Sequence, residues 1–222
     1  MRNKLIISLL LVFCINTFCL KSYAQVNYSG KAWHDHLQVI PGKIECEKFD
    51  VGGEGIAYHD ADKINNGSGK LNPNDGTFLN TFRILEGVDI SYTKSGGTDD
   101  NPYNKVQPLM KQLYVGWTEP GEWIKYSVDV KKEGFYEGSL MYTANVDGKI
   151  AIDVDNELWL VPTIIKSTSD SNEPVAWRQW HHWNKQIIFS HLKLEKGKHV
   201  LTLKTIEKGN MNYDFIEFKK EE

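Results

Sequence analysis

Over residues 122–130 the side chains alternate without a break. Ile124, Tyr126, Val128 and Val130 are apolar, and Lys125, Ser127 and Asp129 between them are polar. A period of two puts one face of an extended strand in a core and the other in water. Shorter runs of the same kind predict strands over 43–47, 112–117, 135–143, 149–153, 186–189, 200–205 and 212–218. Turn pairs separate them: Pro120-Gly121, Asp147-Gly148, Lys196-Gly197 and Lys208-Gly209. Helix-period stretches are few. Many short strands joined by polar turns predict an all-β chain, a two-sheet β-sandwich of jelly-roll type.

Two stretches fit no strand. Residues 52–78 and 92–108 are rich in Gly, Asn, Asp and Pro, and loops of that length inside a compact domain usually carry function. Residues 25–42 are mixed and polar, closing on Pro41-Gly42. They read as an N-terminal lead-in to one sandwich module over 43–222. Residues 1–24 differ again. Arg2 and Lys4 precede an apolar run over 5–13, and Ser22, Tyr23 and Ala24 give a small-x-small ending before Gln25. This is the pattern of a secretory signal peptide cleaved after Ala24, so the protein is expected to be secreted or periplasmic. The apolar run is too short to remain across a bilayer, and no membrane insertion is expected.

Cleavage changes the composition that matters. Cys14 and Cys19 leave with the leader, so the mature chain keeps Cys46 alone and forms no internal disulfide. Three cations leave (Arg2, Lys4 and Lys21) and no anion does, taking the formal charge from -3 to -6. A mildly acidic protein is a poor partner for nucleic acid or an anionic membrane.

Seven tryptophans and ten tyrosines pose the question of where the rings go. Trp177, Trp180 and Trp183 recur every third residue, a spacing that cannot put all three on one face of a strand. Flat rings suit sugars, because the apolar C–H face of a pyranose stacks on an indole and sheds water. Rings equally fill cores. On this segment alone the two readings stand level. Among the acids, Glu45 and Glu47 sit at i and i+2 of a predicted strand, on one side, where like carboxylates repel unless a cation lies between them. Asp214 on the last strand joins them if the sheet pairs the termini, and hard oxygen ligands suit Ca²⁺. Taken without further context, a solvated acidic face is the plainer reading. Asp153, Asp155 and Glu157 imitate the start of an EF-hand loop but lack its central Gly and closing Glu. His181 and His182, being adjacent, read as polar loop histidines.

Several motifs in order resemble one family. Ile44-Glu45-Cys46-Glu47 precedes Gly52-Gly53-Glu54-Gly55-Ile56-Ala57-Tyr58-His59-Asp60. Then follow Gly87-Val88-Asp89-Ile90, the run from Val115-Gly116-Trp117 to Glu122-Trp123, the tryptophan cluster, Gly197-Lys198-His199-Val200-Leu201, and Asn212-Tyr213-Asp214-Phe215. Together, from about residue 43 to 218, they resemble family 6 carbohydrate-binding modules. The resemblance implies a jelly-roll sandwich, a structural calcium at Glu45, Glu47 and Asp214, and a sugar cleft built by loops at one end. In that cleft a sugar lies between two rings, here Trp117 and Trp180 with Trp177 as the alternative second ring. Asn212 stands beside them, and Tyr58 or His59 touches a neighbouring sugar. The implied function is non-catalytic binding of a plant or algal cell-wall-type polysaccharide or oligosaccharide, with a separate glycoside hydrolase as partner.

Two departures are visible. Glu173-Pro174-Val175-Ala176 replaces the usual Gly-Gly ahead of Trp177, and the stretch 70–110 is long enough to cover or reshape the cleft. The rival readings are a jelly-roll polysaccharide lyase and a protein-binding adhesion sandwich with aromatic anchors. The lyase reading lacks its Gln-Ile-His-like strand and arginine-bearing motif.

Overall fold

The computed structural model describes residues 28–158 and 161–222. The proposed leader and its cysteines lie outside them, as does Trp159. Thirteen strands form two sheets. The alternating segment is β6 (Trp123–Val130), and its apolar side chains are buried while the polar ones between them are not. β6 pairs with β12 (Gly197–Glu207), β12 with β8 (Gly148–Val154), and β8 with β10 (Thr163–Ile165), all antiparallel. β3 (Tyr58–His59) also pairs with β6, and β9 (Glu157–Leu158) with β8. β1 (Gln38–Ile40), inside the lead-in, adds to β6 in parallel.

The second sheet runs β11 (Asn184–Leu194), β7 (Gly134–Ala144), β13 (Met211–Lys220), β5 (Leu113–Val115), β4 (Ile90–Tyr92), with β2 (Gly42–Glu45) also on β13. Between the sheets lies one core, with Tyr126 and Val128 from β6, Leu201 and Leu203 from β12, Leu140 and Tyr142 from β7, and Ile216 and Phe218 from β13. A smaller cluster of Tyr114, Met141, Trp183 and Phe215 packs on the other face of the second sheet. That face is roofed by the polar stretches around residues 93–111 and 168–183.

One irregularity positions functional groups. In the β13–β7 ladder Tyr213 faces Tyr142 but Ile216 faces Leu140, so β13 carries one extra residue. This β-bulge re-aims the side chains at Asp214 and Phe215. A second departure concerns the strand predicted over 43–47. It ends at Glu45, and Cys46–Lys48 turn as a short 3-10 helix.

Candidate functional site

Trp117 stands in the connection from β5 to β6. Gly116 N donates to the Asp89 carbonyl at 2.9 Å. Trp117 itself takes φ 50°, the left-handed region that a bulky side chain rarely occupies. The conformation is held from the next residue. Thr118 Oγ1 donates to the Met211 carbonyl at 3.2 Å, and Asn210 N donates to the Thr118 carbonyl at 2.6 Å. Gly209 passes so close that a Cβ there would lie 1.8 Å from the Thr118 oxygen, so only glycine fits. The turn bearing Trp117 is thus fastened to the start of β13, and its half-exposed indole lines a cavity of about 190 Å³. Asp62, Asn66, Asp89, Glu119, Glu122 and Asn210 form the rest of the wall.

The tryptophan triplet divides by depth. Trp177 is 60% exposed on the 3-10 turn Ala176–Arg178. Trp180 is half-buried, with its ring edge-on to His181 at 5.4 Å. Trp183 is fully buried and donates from Nε1 to Asp99 Oδ1 at 2.7 Å. The even spacing therefore reflects a segment diving from solvent into the core. The Trp180 carbonyl accepts from Thr168 Oγ1 at 2.6 Å, and Thr168 N donates to the Ala144 carbonyl at the end of β7.

Asn212 lies between these two fastenings. It pairs in register with Thr143 of β7, and its Nδ2 donates to Thr143 Oγ1 at 2.8 Å. Its Oδ1 is turned to the other side, 2.8 Å from where a Cβ on Gly116 would stand, and this buried oxygen has no hydrogen-bond partner. The Trp117 turn is fastened to the start of β13 and the Trp180 loop to the end of β7, with Asn212 beneath the surface between these strand ends at 1% exposure.

Tyr58 departs from its expected role. It is buried, packs edge-on against Phe49, and its hydroxyl accepts from Gly87 N at 3.2 Å. Period two explains this, because on β3 Tyr58 points inward and its neighbour His59 outward. His59 is exposed, pairs with Glu54, and lies 6.3 Å from the Trp123 ring.

Two groups of residues escaped the sequence reading. The first is the acidic wall beside Trp117. Burial lifts Asp89 to about 6, and burial with Glu119 lifts Glu122 to about 7. Neighbouring Asp60 is raised to about 8, again chiefly by burial. The Pro120-Gly121 turn, with an acid on either side, was the available signal. The second group is a brace. Asp99, Asn101, Asn104 and Tyr103 hold the tryptophan segment, with Asn104 Oδ1 accepting from Trp183 N at 2.8 Å. Asp99 Oδ1 is 3.0 Å from His181 Nδ1, and Tyr103 stacks on His182. Part of the long stretch 70–110 thus supports the loop that carries Trp180.

The calcium set is brought together in part. Glu47 and Asp214 are both buried, and Glu47 Oε2 and Asp214 Oδ2 have no hydrogen-bond partner. Burial, then the charge of Glu45, raises Glu47 to about 8; burial raises Asp214 to about 7. Two carboxylates in that state fit a hard cation. The charge of Glu45 acts on both. Glu45 itself closes β2, ahead of the turn, and its carboxylate is on Lys48. The i, i+2 reading fails because the strand stops before Glu47. Among the described residues no three acid, His or Cys side chains form a ready metal cluster.

The family model for carbohydrate binding module (family 6) matches residues 90–220. A family 6 module from Clostridium stercorarium, solved with cellobiose, is 10% identical and superposes with a TM-score of 0.50. The match covers 84% of this chain and 98% of that one, and it shows a shared fold. A β-1,3-glucan-binding family 6 module from Bacillus halodurans is 13% identical, with 83% and 99% covered and a TM-score of 0.45. No curated protein sequence matches the chain significantly.

Proposed function

The chain belongs to family 6 of the carbohydrate-binding modules, which hold sugars without reacting them, and from that premise we propose that it retains a neutral, cell-wall-type polysaccharide at the edge formed by Trp117, Asn212 and Trp180. The observation that carries the reading is the unpartnered Oδ1 of Asn212, set between fastenings that each present a part-exposed indole. An indole face removes the C–H face of a pyranose from water, and an amide supplies both donor and acceptor to a hydroxyl. Trp177, the more exposed ring, stands three residues before Trp180 on the 3-10 turn and is the alternative second ring. His59 offers a further contact.

Charge narrows the ligand. The wall beside Trp117 holds four carboxylates and no cation. Even with Asp89 and Glu122 pushed toward their neutral forms, the wall offers an anionic uronate or sulfate no counter-charge, whereas neutral hydroxyls find acceptors and donors. We also assign a structural calcium to Glu47 and Asp214. When bound, such an ion neutralises the buried acids. The polysaccharide reading is tested by affinity gels cast with a neutral β-glucan and with its carboxymethylated form. Retardation by the neutral polymer alone is expected. Silence across neutral β-glucans, xylans and galactans would end the reading.

A further inference from the structure

A further cavity is built by residues other than those that line the Trp117 wall. It measures about 600 Å³ and is lined by Trp33, His34, His36, Leu37, Gln38, Glu45 and Lys48. That volume falls within the range of small-molecule sites. Every lining residue precedes residue 90, where the family match begins. Its floor is at Glu45, which pairs with Phe215, three positions beyond Asn212 on β13.

The wall is built rather than incidental. Trp33 is held by Arg83, whose guanidinium carbon lies 4.5 Å from the indole centroid, and by the Phe82 ring at 5.4 Å. Arg83 is itself buried and donates to the Phe49 and Asp50 carbonyls at 2.5 and 2.9 Å, so it cannot swing away. His34 packs edge-on against Trp33 at 4.4 Å. His34 and Asp35 take φ 52° and 57° in succession, and His34 and His36 are exposed. Gln38 ties the floor. Its Oε1 accepts from Glu45 N, and its Nε2 donates to the Glu45 and Lys48 carbonyls. That leaves two imidazoles and a carboxylate–ammonium pair as the polar groups free to meet a ligand, with their one negative and one positive side-chain charge cancelling.

We infer that the lead-in builds a second sugar site, in which Trp33 stacks on a neutral pyranose and His34, His36, Glu45 and Lys48 bond its hydroxyls. The chemistry follows from the lining. A fixed indole offers apolar area, imidazoles both donate and accept, and an internally neutral ion pair offers an acceptor beside a donor without selecting an anion. This rests on the reading of the chain as a sugar binder and extends it, since two sites on one domain raise retention through effective concentration on a repeating polymer.

The test compares wild type, Trp33→Ala, and His34→Ala with His36→Ala in affinity gels of the same neutral β-glucans, xylans and galactans, with melting curves alongside. The histidines are exposed, so the double variant keeps its fold even if Trp33→Ala does not. Each folded variant is expected to bind roughly fivefold more weakly or worse, about the worth of one net hydrogen bond. Retardation equal to wild type for the double histidine variant overturns the second site and leaves the cleft standing. A wild type that no polymer retards overturns both.

Discussion

Trp117 and Trp183 show how differently one residue type can be used. Trp117 is half-exposed in a left-handed turn, whereas Trp183 is enclosed and bonded to Asp99. Trp117→Ala and Trp180→Ala should each weaken polysaccharide binding by about 1–3 kcal/mol, the usual worth of burying a large side chain, with melting hardly moved. Asn212→Ala should cost about 1 kcal/mol of binding. Trp183→Ala should instead cost about 3–5 kcal/mol of stability, as an emptied core site does. Affinity gels and thermal melts on the same four variants separate these outcomes. Unchanged binding in folded Trp117→Ala and Trp180→Ala would remove the cleft. At this scale the sequence was half legible. The triplet spacing announced that the rings could not share a face, but which one entered the core depended on Asp99, 84 residues away. Tyr58 and His59 stayed alternatives, because a two-residue strand offers no alternation from which to tell the inward residue from the outward one.

Among elements, the strands that alternated over five residues or more were readable, since burial of one face writes itself into the sequence. β1, β3, β4, β9 and β10 are two or three residues long and were not. They exist because longer neighbours offer free backbone groups, and their own side chains carry too little pattern. The brace on the tryptophan segment was equally hidden, being made of Asp and Asn side chains that look like ordinary loop composition. Its consequence is measurable. Asp99 accepts from Trp183 Nε1 and from Lys94 N, both at 2.7 Å. Asp99→Ala orphans both donors, which should cost about 1–3 kcal/mol of stability for each group left buried. It should also weaken sugar binding through Trp180, which Asp99 never touches. Leu109→Ser, on an exposed side chain of the same stretch, should do neither. If Asp99→Ala melts lower but binds as wild type, the brace supports the fold and not the cleft.

Among the described residues of the whole molecule, two clusters of acids raised by burial make stability depend on solution conditions. Glu47 and Asp214 link the turn after β2 to the bulge of β13, so a cation there would bind the folded chain alone. Melting in calcium should exceed melting in EDTA, and Glu47→Gln with Asp214→Asn should abolish the difference. Equal melting in both solutions would dismiss the ion. The second cluster responds to pH. Asp89, Glu122 and Asp60 are raised to about 6, 7 and 8, above the ordinary carboxylate range, so folding favours their protonated forms. Their contribution is intact near about pH 4 and is lost as pH rises through 6 to 8, the direction in which the unfolded chain binds fewer protons. Glu122→Gln should melt like wild type near pH 4 and higher than wild type at pH 8. A parallel pair of pH curves would refute the assignment. The arrangement of the second sheet has a further effect, on timing. Its middle strand is the last of the described strands, and among the described residues β7, β5 and β2 are joined through it. The early strand β2 pairs with a partner about 170 residues further along, so the second sheet is joined through its most distant contact. Closing so long a span costs loop entropy before any ladder offsets it, so this sheet is expected to form slowly.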